Sequence, residues 1–292
     1  TQIITILNIV LPVFILSLLG YLFGIFKKIN LPSINEFVIY IAMPCLILSS
    51  LSKKHIELSV AGNVFIALVL IMVLSAALTL IILKKLNLES ATFLPPVLFA
   101  NTGNMGLPIV FYAFGQDGLT LAILYMVCTT FIHYTVGILL FNIKNGPTEL
   151  LKLPLIYSAA AGLTISFLNI ELPVVISRTL QLAGEASIPA MVFALGYKLS
   201  EINVTHISRS VLFGALRIFL GFGFGLLAVK ILGIEGLLAK VIILQASMPP
   251  AIFNFVLAEK YRQNSQAVAS IILAGTLISV LTLPLIVAYL LE

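Results

Sequence analysis

Residues 91–115 read ATFLPPVLFANTGNMGLPIVFYAFG, which combines the length of a membrane span with residues that a continuous helix does not favour. About 20 mainly apolar residues cross a ~30 Å hydrocarbon core as a helix. The prolines remove backbone N–H groups, and the polar or small residues between them are poor helix formers. Non-helical backbone is tolerated at membrane depth only where it lines a cavity or is covered by protein. The stretch therefore predicts a broken helix at a site, with candidate binding residues Asn101, Thr102, Gly103, Asn104 and Pro108.

A second stretch, AKVIILQASMPPAIFNFVLAEKY at residues 239–261, has the same chemistry. Its candidate binding residues are Gln245, Ser247, Pro249, Pro250 and Asn254. If the two broken helices cross, the N–H groups at each half-helix start face the crossing, which favours an anion. The freed carbonyls could instead hold a cation such as Na⁺, with Asn104, Gln245 and Ala246 as the candidate carbonyl donors.

The whole composition matches these stretches. The 292 residues are 61% hydrophobic and 9% charged, whereas soluble domains carry roughly 25% charged residues. Hydropathy predicts an all-α polytopic membrane protein with ten spans joined by short connections. The spans are 3–26, 33–52, 60–83, 91–115, 118–143, 153–169, 173–197, 208–232, 236–258 and 266–291.

Short connections leave no room for a soluble catalytic domain. No span carries an HExxH or GxSxG motif or an acidic pair, so we expect no enzyme activity. Cys45 and Cys128 lie alone inside apolar runs, so we expect no cofactor and no metal site beyond the carbonyl cation. The net charge of +5 is spread over the ends of apolar runs, which argues against nucleic acid as a partner.

The distribution of Lys and Arg predicts the orientation, because cytoplasmic loops are enriched in basic residues. The odd-numbered connections and their flanks hold Lys27, Lys28, Lys84, Lys85, Lys144, Lys152, Lys198, Arg209, Lys260 and Arg262. The opposite side holds half as many, namely Lys53, Lys54, Arg178, Lys230 and Lys240. We therefore expect the protein in the cytoplasmic membrane with both termini outside.

The two halves of the chain have related patterns. Pro44 and Pro189 lie in similar contexts 145 residues apart, and at that offset Asn101–Pro108 falls opposite Ala246–Phe253. Five spans is an odd number, so a second copy must enter the membrane from the other side. The pattern predicts a first repeat at 1–152 and an inverted second repeat at 153–292, an architecture of secondary transporters.

FANTGNMGLPI, QASMPPAIFNFVLAEKY and GTLISVLTLP in the last span resemble the motifs of the auxin efflux carrier family, which includes bacterial malate-permease-like members. The resemblance implies a scaffold of spans 1, 2, 6 and 7 and a moving transport domain of spans 3–5 and 8–10. It also implies a homodimer and an elevator-type mechanism. Asn101, Pro108 and Pro249 match the family's crossing residues. Pro250 and the Gly103-Asn104 pair resemble bacterial rather than plant members.

Three other polar residues within the predicted spans are candidates for coupling or gating. Glu185 lies about midway along span 7, where a buried carboxylate is costly, and either couples transport or is a protonated acid satisfied by a neighbouring helix. Arg217 either steers substrate or snorkels to the membrane surface. His133 is either part of a proton relay or a packing residue.

These observations predict a secondary active transporter of a small organic anion, a carboxylate such as malate, coupled to H⁺ or Na⁺. The alternatives are an auxin-like indole-acid carrier, and a channel or ligand-sensing membrane module of the same fold.

Overall fold

A computed structural model describes residues 2–53, 56–137, 148 and 151–292, so Lys54, Lys144 and the predicted end of span 5 lie outside the described residues. All regular elements within these ranges are helical. The helices are α1 (Gln2–Phe26), α2 (Leu31–Phe37), α3 (Met43–Ser52), α4 (Leu58–Leu86), α5 (Ser90–Leu98), α6 (Leu107–Ile132), α7 (Pro154–Phe167), α8 (Val174–Glu185), α9 (Ser187–Ser200), α10 (Ile207–Ile231), α11 (Gly236–Ala246), α12 (Phe253–Lys260) and α13 (Ser265–Leu291). Three π-helical turns join or extend them at Val38–Ala42, Thr102–Gly106 and His133–Gly137.

Six helical runs are long and apolar enough to cross a membrane: Ile3–Phe26, Leu31–Ser52, Leu58–Leu86, Thr102–Gly137, Ile207–Ile231 and Ser265–Leu291. Two shorter helices, α7 and α11, are also apolar. Helices of this length and hydropathy are those of a polytopic membrane protein.

The run Thr102–Gly137 contains the boundary predicted between spans 4 and 5. Gly115 has φ +66° and ψ −158°, which are not helical, and glycine reaches positive φ without a steric penalty. The helix axis therefore kinks at the residue where the hydropathy pattern ends span 4.

The helices pack in two groups. In the first, α1 lies along α9, and α3 packs against α7 and α8. Gly20 and Gly24 of α1 allow the close approach, because a Cβ atom at either would overlap the backbone or side chains of α9. In the second group, α10 packs on α13, α4, α5 and α11, while α11 also contacts α6.

The break in the first polar stretch lies later than the prolines suggest. Pro95 and Pro96 are inside α5, and the chain leaves the helix only at Phe99, which has an extended conformation. The helix resumes at Thr102 with a π turn, and Pro108 lies in the first turn of α6, where a missing N–H costs nothing. The second break runs from Ser247 to Ile252, between α11 and α12.

Candidate functional site

The two breaks meet in the centre of the second helix group. The Asn101 N–H donates to the Pro249 carbonyl at 2.7 Å, and the Ala251 N–H donates to the Phe99 carbonyl at 3.0 Å. Ala100 and Pro250 therefore form one antiparallel β-bridge between otherwise helical segments. The crossing predicted from the two polar stretches is present, and backbone hydrogen bonds fix its register.

Arg217 of α10 lies at this crossing and is only 2% exposed. Its Nη1 donates to the carbonyls of Val97 and Leu98 at 2.7 and 2.9 Å, and its Nη2 donates to the carbonyl of Ala246. These carbonyls are the orphan acceptors at the C-terminal ends of α5 and α11. The snorkelling interpretation of Arg217 is therefore wrong, because the side chain turns inward to backbone carbonyls.

A glycine one turn along α10 makes room for this contact. A Cβ atom at Gly221 would overlap both the Ala246 carbonyl and the Arg217 guanidinium. Gly214, one turn earlier, lies against the backbone of Gly275 in α13, and a Cβ atom there would be 2.7 Å from the Gly275 nitrogen. Gly221 and Gly214 thus bring α10 close to the C-terminal end of α11 and to α13, respectively.

Two buried side-chain amides of the second polar stretch, those of Asn254 and Gln245, hold the crossing together. Asn254 Nδ2 donates to the carbonyls of Phe99 and Ala251 at 3.1 and 3.0 Å. Gln245 Nε2 donates to the carbonyls of Thr102 and Ala122, both at 3.3 Å. The donor atoms of both residues are therefore used within the protein, which gives them a structural role.

Other polar atoms at the crossing have no partner. Asn101 is 4% exposed, and its Nδ2 makes no hydrogen bond in the described part of the chain. The same holds for the buried acceptors Gln245 Oε1 and Asn254 Oδ1. Within the described ranges, the backbone N–H groups of Gly103 and Asn104 also have no backbone acceptor, as is usual for the first turn of a helix. Buried polar groups left unpaired are costly, so the site is suited to a polar ligand.

The remaining predicted binding residues divide into lining and structural positions. Asn104 and Gly103 are half-buried beside Asn101, whereas Thr102 is 5% exposed. The Ser247 hydroxyl donates to the Ile243 carbonyl at 2.6 Å within its own helix end, so its proton is not available to a ligand.

The prolines shape the backbone: Pro108 is buried at the start of α6, Pro249 supplies the carbonyl for Asn101, and Pro250 packs against Gly275.

His133 covers the crossing with its ring. It stacks on Phe99 with ring centroids 3.7 Å apart and makes an edge contact with Phe253 at 5.2 Å. Phe99 lies in the first break and Phe253 begins α12, and neither was among the site residues predicted from the sequence. His133 Nε2 is buried without a partner among the described residues, so the imidazole combines packing with an unused polar atom.

Glu185 lies elsewhere. It is exposed at the end of α8 and lines a cleft of about 290 Å³ with α3 on one side and Phe111 and Tyr112 of α6 on the other. Its Oε1 accepts a hydrogen bond from Gln181 Nε2 at 2.8 Å, and Gln181 Oε1 accepts one from Lys53 Nζ at 3.2 Å. The expected burial of this carboxylate is wrong, because the helix is interrupted at Ala186 and the acid faces the cleft, where its partner is Gln181 of its own helix.

Two of the three carbonyls expected to hold Na⁺ already accept hydrogen bonds within the protein. The Ala246 carbonyl, one of the three expected donors for Na⁺, is bound by Arg217, and the Gln245 carbonyl accepts the Met248 N–H at 3.3 Å. These contacts of Arg217 were not predicted from the sequence. The sequence signal for these contacts is Gly221, which lies four residues after Arg217 on the same helix face and leaves room for the guanidinium.

Comparison with known proteins finds relatives along nearly the whole chain. The family model described as "Membrane transport protein" matches residues 5–152 and 144–287. An uncharacterized transporter of Methanothermobacter thermautotrophicus is 29% identical, covering 94% of this chain and 95% of the relative. A candidate malonate transporter of Rhizobium meliloti is 24% identical, covering 94% of this chain and 92% of the relative. The Arabidopsis thaliana auxin efflux carrier component 1 is 28% identical over 48% of this chain and 23% of its own length. The chain is thus an integral membrane protein that belongs to the membrane transport protein family, the family of the auxin efflux carriers.

Proposed function

We propose that the protein is a secondary active transporter of a small organic anion, and that the anion binds at the crossing. The observation that carries this proposal is the set of unpaired donors around Asn101 in the described part of the chain: its side-chain Nδ2 and the backbone N–H groups of Gly103 and Asn104. A carboxylate offers two oxygens that accept such hydrogen bonds, and a helix N-terminus favours its negative charge.

The charges around the crossing favour an anion as well. Every Asp and Glu in the described part of the chain is exposed, whereas Arg217 is buried at the crossing. An anion entering the site therefore meets a cation and two helix N-termini, and none of the described carboxylates is buried there to repel it.

The site and the relatives together support one substrate class. A relative named as a candidate malonate transporter aligns along nearly its whole length, whereas the auxin efflux carriers align over about half of this chain. Pro250 and the Gly103-Asn104 pair also depart from the plant motifs. We therefore favour a small dicarboxylate such as malate or malonate over an indole acid.

The mechanism we propose is elevator-type alternating access in a ten-span inverted repeat of five plus five. The first helix group, α1–α3 with α7–α9, is the scaffold, and α4–α6 with α10–α13 is the transport domain. Two observations support this division. The broken helices of both halves pair inside the second group, and the cleft at Glu185 lies between α3 and α8 on one side and α6 on the other. Movement of one group against the other would carry the crossing across the membrane.

Coupling and assembly complete the proposal. Glu185, at the interface of the two groups, and His133, which covers the crossing, are the candidates for gating or for carrying a coupled H⁺. Na⁺ is the alternative coupling ion. We expect a homodimer in the cytoplasmic membrane with both termini outside.

Purified protein in proteoliposomes tests this function. Labelled malonate, malate, monocarboxylates, amino acids and indole acids are offered under separately imposed Na⁺ and pH gradients. The proposal expects saturable accumulation of a dicarboxylate. Accumulation of indole acids alone would favour the auxin-like alternative, and a non-saturable flux would favour a channel.

A further inference from the structure

Arg217 carries a buried positive charge that none of the described carboxylates neutralises. The described Asp and Glu side chains are all exposed, and the guanidinium donates to three main-chain carbonyls from two different helices. Buried charges are usually paired or bound to other strong polar groups, because desolvation is expensive. The three carbonyls are such groups, since they lie where two helix dipoles end.

The charge balance at the crossing explains what this contact does. Each helix end carries roughly half an elementary charge, positive at the N-terminus and negative at the C-terminus. Four half-helix ends meet here: the C-termini of α5 and α11, and the N-termini of α12 and of the π turn that leads into α6. Without a further charge the four ends would nearly cancel. Arg217 neutralises the two negative ends and leaves the two positive ends uncompensated.

We propose that Arg217 is the fixed counter-cation of the crossing: it ties the carbonyl ends of both half-helices together and thereby determines that the site selects for anionic charge. The selectivity part rests on the proposed function, because it concerns the ligand bound there. The positioning part rests only on the contacts of Arg217. In this role Arg217 is a positioning and specificity-determining residue.

Arginine suits this position better than lysine. Its planar fork has separate N–H groups that reach the two helices at once, whereas an ammonium is a compact point charge. The adjoining cavity, lined by Thr102, Tyr125 and Thr129, holds only about 10 Å³, so it has room for no more than one water molecule. Gly221 keeps the path of the guanidinium open.

The positioning part is tested without substrate by chemical rescue. The chain has no Trp, but Cys45 and Cys128 are free and partly buried, so a thiol-reactive dye reports thermal unfolding. Arg217→Ala should lower Tm by several degrees. Guanidinium at low millimolar concentration should recover part of this loss, and sodium at the same ionic strength should not. Arg209→Ala, an exposed change on the same helix, is the control and should respond to neither.

The positioning role would be overturned if guanidinium did not raise the Tm of Arg217→Ala. It would also be overturned if guanidinium raised the Tm of Arg209→Ala equally. If Arg217→Ala does not accumulate, Gly221→Ala displaces the guanidinium while keeping it in the protein and should lower Tm similarly. An unchanged Tm for Gly221→Ala would then contradict the proposal.

Binding of malonate and of its monoamide, malonamate, tests the selectivity part. A purely structural role would weaken both ligands equally, whereas loss of a counter-cation weakens the dianion more. We expect Arg217→Gln to reduce the ratio of malonate to malonamate affinity by roughly tenfold, and Arg217→Lys to keep most of it. An unchanged ratio in Arg217→Gln would refute the selectivity role. Wild-type protein that binds neither ligand would refute the dicarboxylate function, while the guanidinium result would still decide the positioning role.

Discussion

Replacement of Asn101 by Ala separates ligand binding from folding at the crossing. The Asn101 side chain is buried, and its Nδ2 has no partner among the described residues, so its removal takes away an unsatisfied polar group rather than a structural contact. We expect the free energy of unfolding to change by less than about 1 kcal/mol. A hydrogen bond to a charged ligand contributes about 1.5–3 kcal/mol, so the Kd for a carboxylate should rise by roughly 10- to 100-fold.

Asn254→Ala is the matched control, because that amide makes two internal hydrogen bonds, to Phe99 and Ala251. It should lower the stability by about 1–3 kcal/mol through loss of those bonds and the unpaired carbonyls left behind. Thermal unfolding with a thiol-reactive dye measures the stability of both variants, and malonate titration of the purified proteins measures affinity. Unchanged malonate affinity in a folded Asn101→Ala variant would refute the assignment of this amide to the ligand.

Three further predictions concern the breaks, the cleft and the orientation. The double variant Pro249→Ala/Pro250→Ala should impair malonate transport but leave expression largely intact. A continuous helix would use the backbone groups that now pair at the crossing. Normal malonate transport by this variant would contradict the prediction. Glu185→Gln should keep malonate binding in calorimetry while gradient-driven transport falls by roughly tenfold or more, because an amide cannot titrate; full transport would make Glu185 a structural residue. In a cysteine-free background, Lys152→Cys should react in intact cells only with membrane-permeant reagents and Glu292→Cys also with impermeant ones, and the reverse pattern would invert the orientation.

The sequence predicted where the helices break because proline, glycine and asparagine clusters are a local signal. The crossing of residues 99–101 with residues 249–251 follows from the two interrupted segments and the offset between the halves. The exact break was not predictable from the prolines, since Pro95 and Pro96 are accommodated inside α5. A helix tolerates proline where neighbouring groups satisfy the freed carbonyls.

The roles of single polar side chains were harder to predict, because they depend on which neighbour lies within reach. Arg217 was equally compatible with the membrane surface, and only the packing of α10 against α5 and α11 brings it to their carbonyl ends. Glu185 was expected to be buried from its place in the hydropathy profile, yet it faces an open cleft. Hydropathy gives depth along a span but not the direction in which a side chain points.

Counterflow in proteoliposomes tests the central claim that a carrier binds a small carboxylate at the crossing. Vesicles are preloaded with unlabelled malonate, and labelled malonate is added outside. A carrier should accumulate the label transiently above its equilibrium level. The reason is that efflux of unlabelled malonate brings the binding site back to the outer face of the vesicle, where it binds labelled malonate. We predict this overshoot in the wild-type protein and its loss in the stably folded Asn101→Ala variant. A wild type that only equilibrates the label, or an equal overshoot in both proteins, would contradict the account.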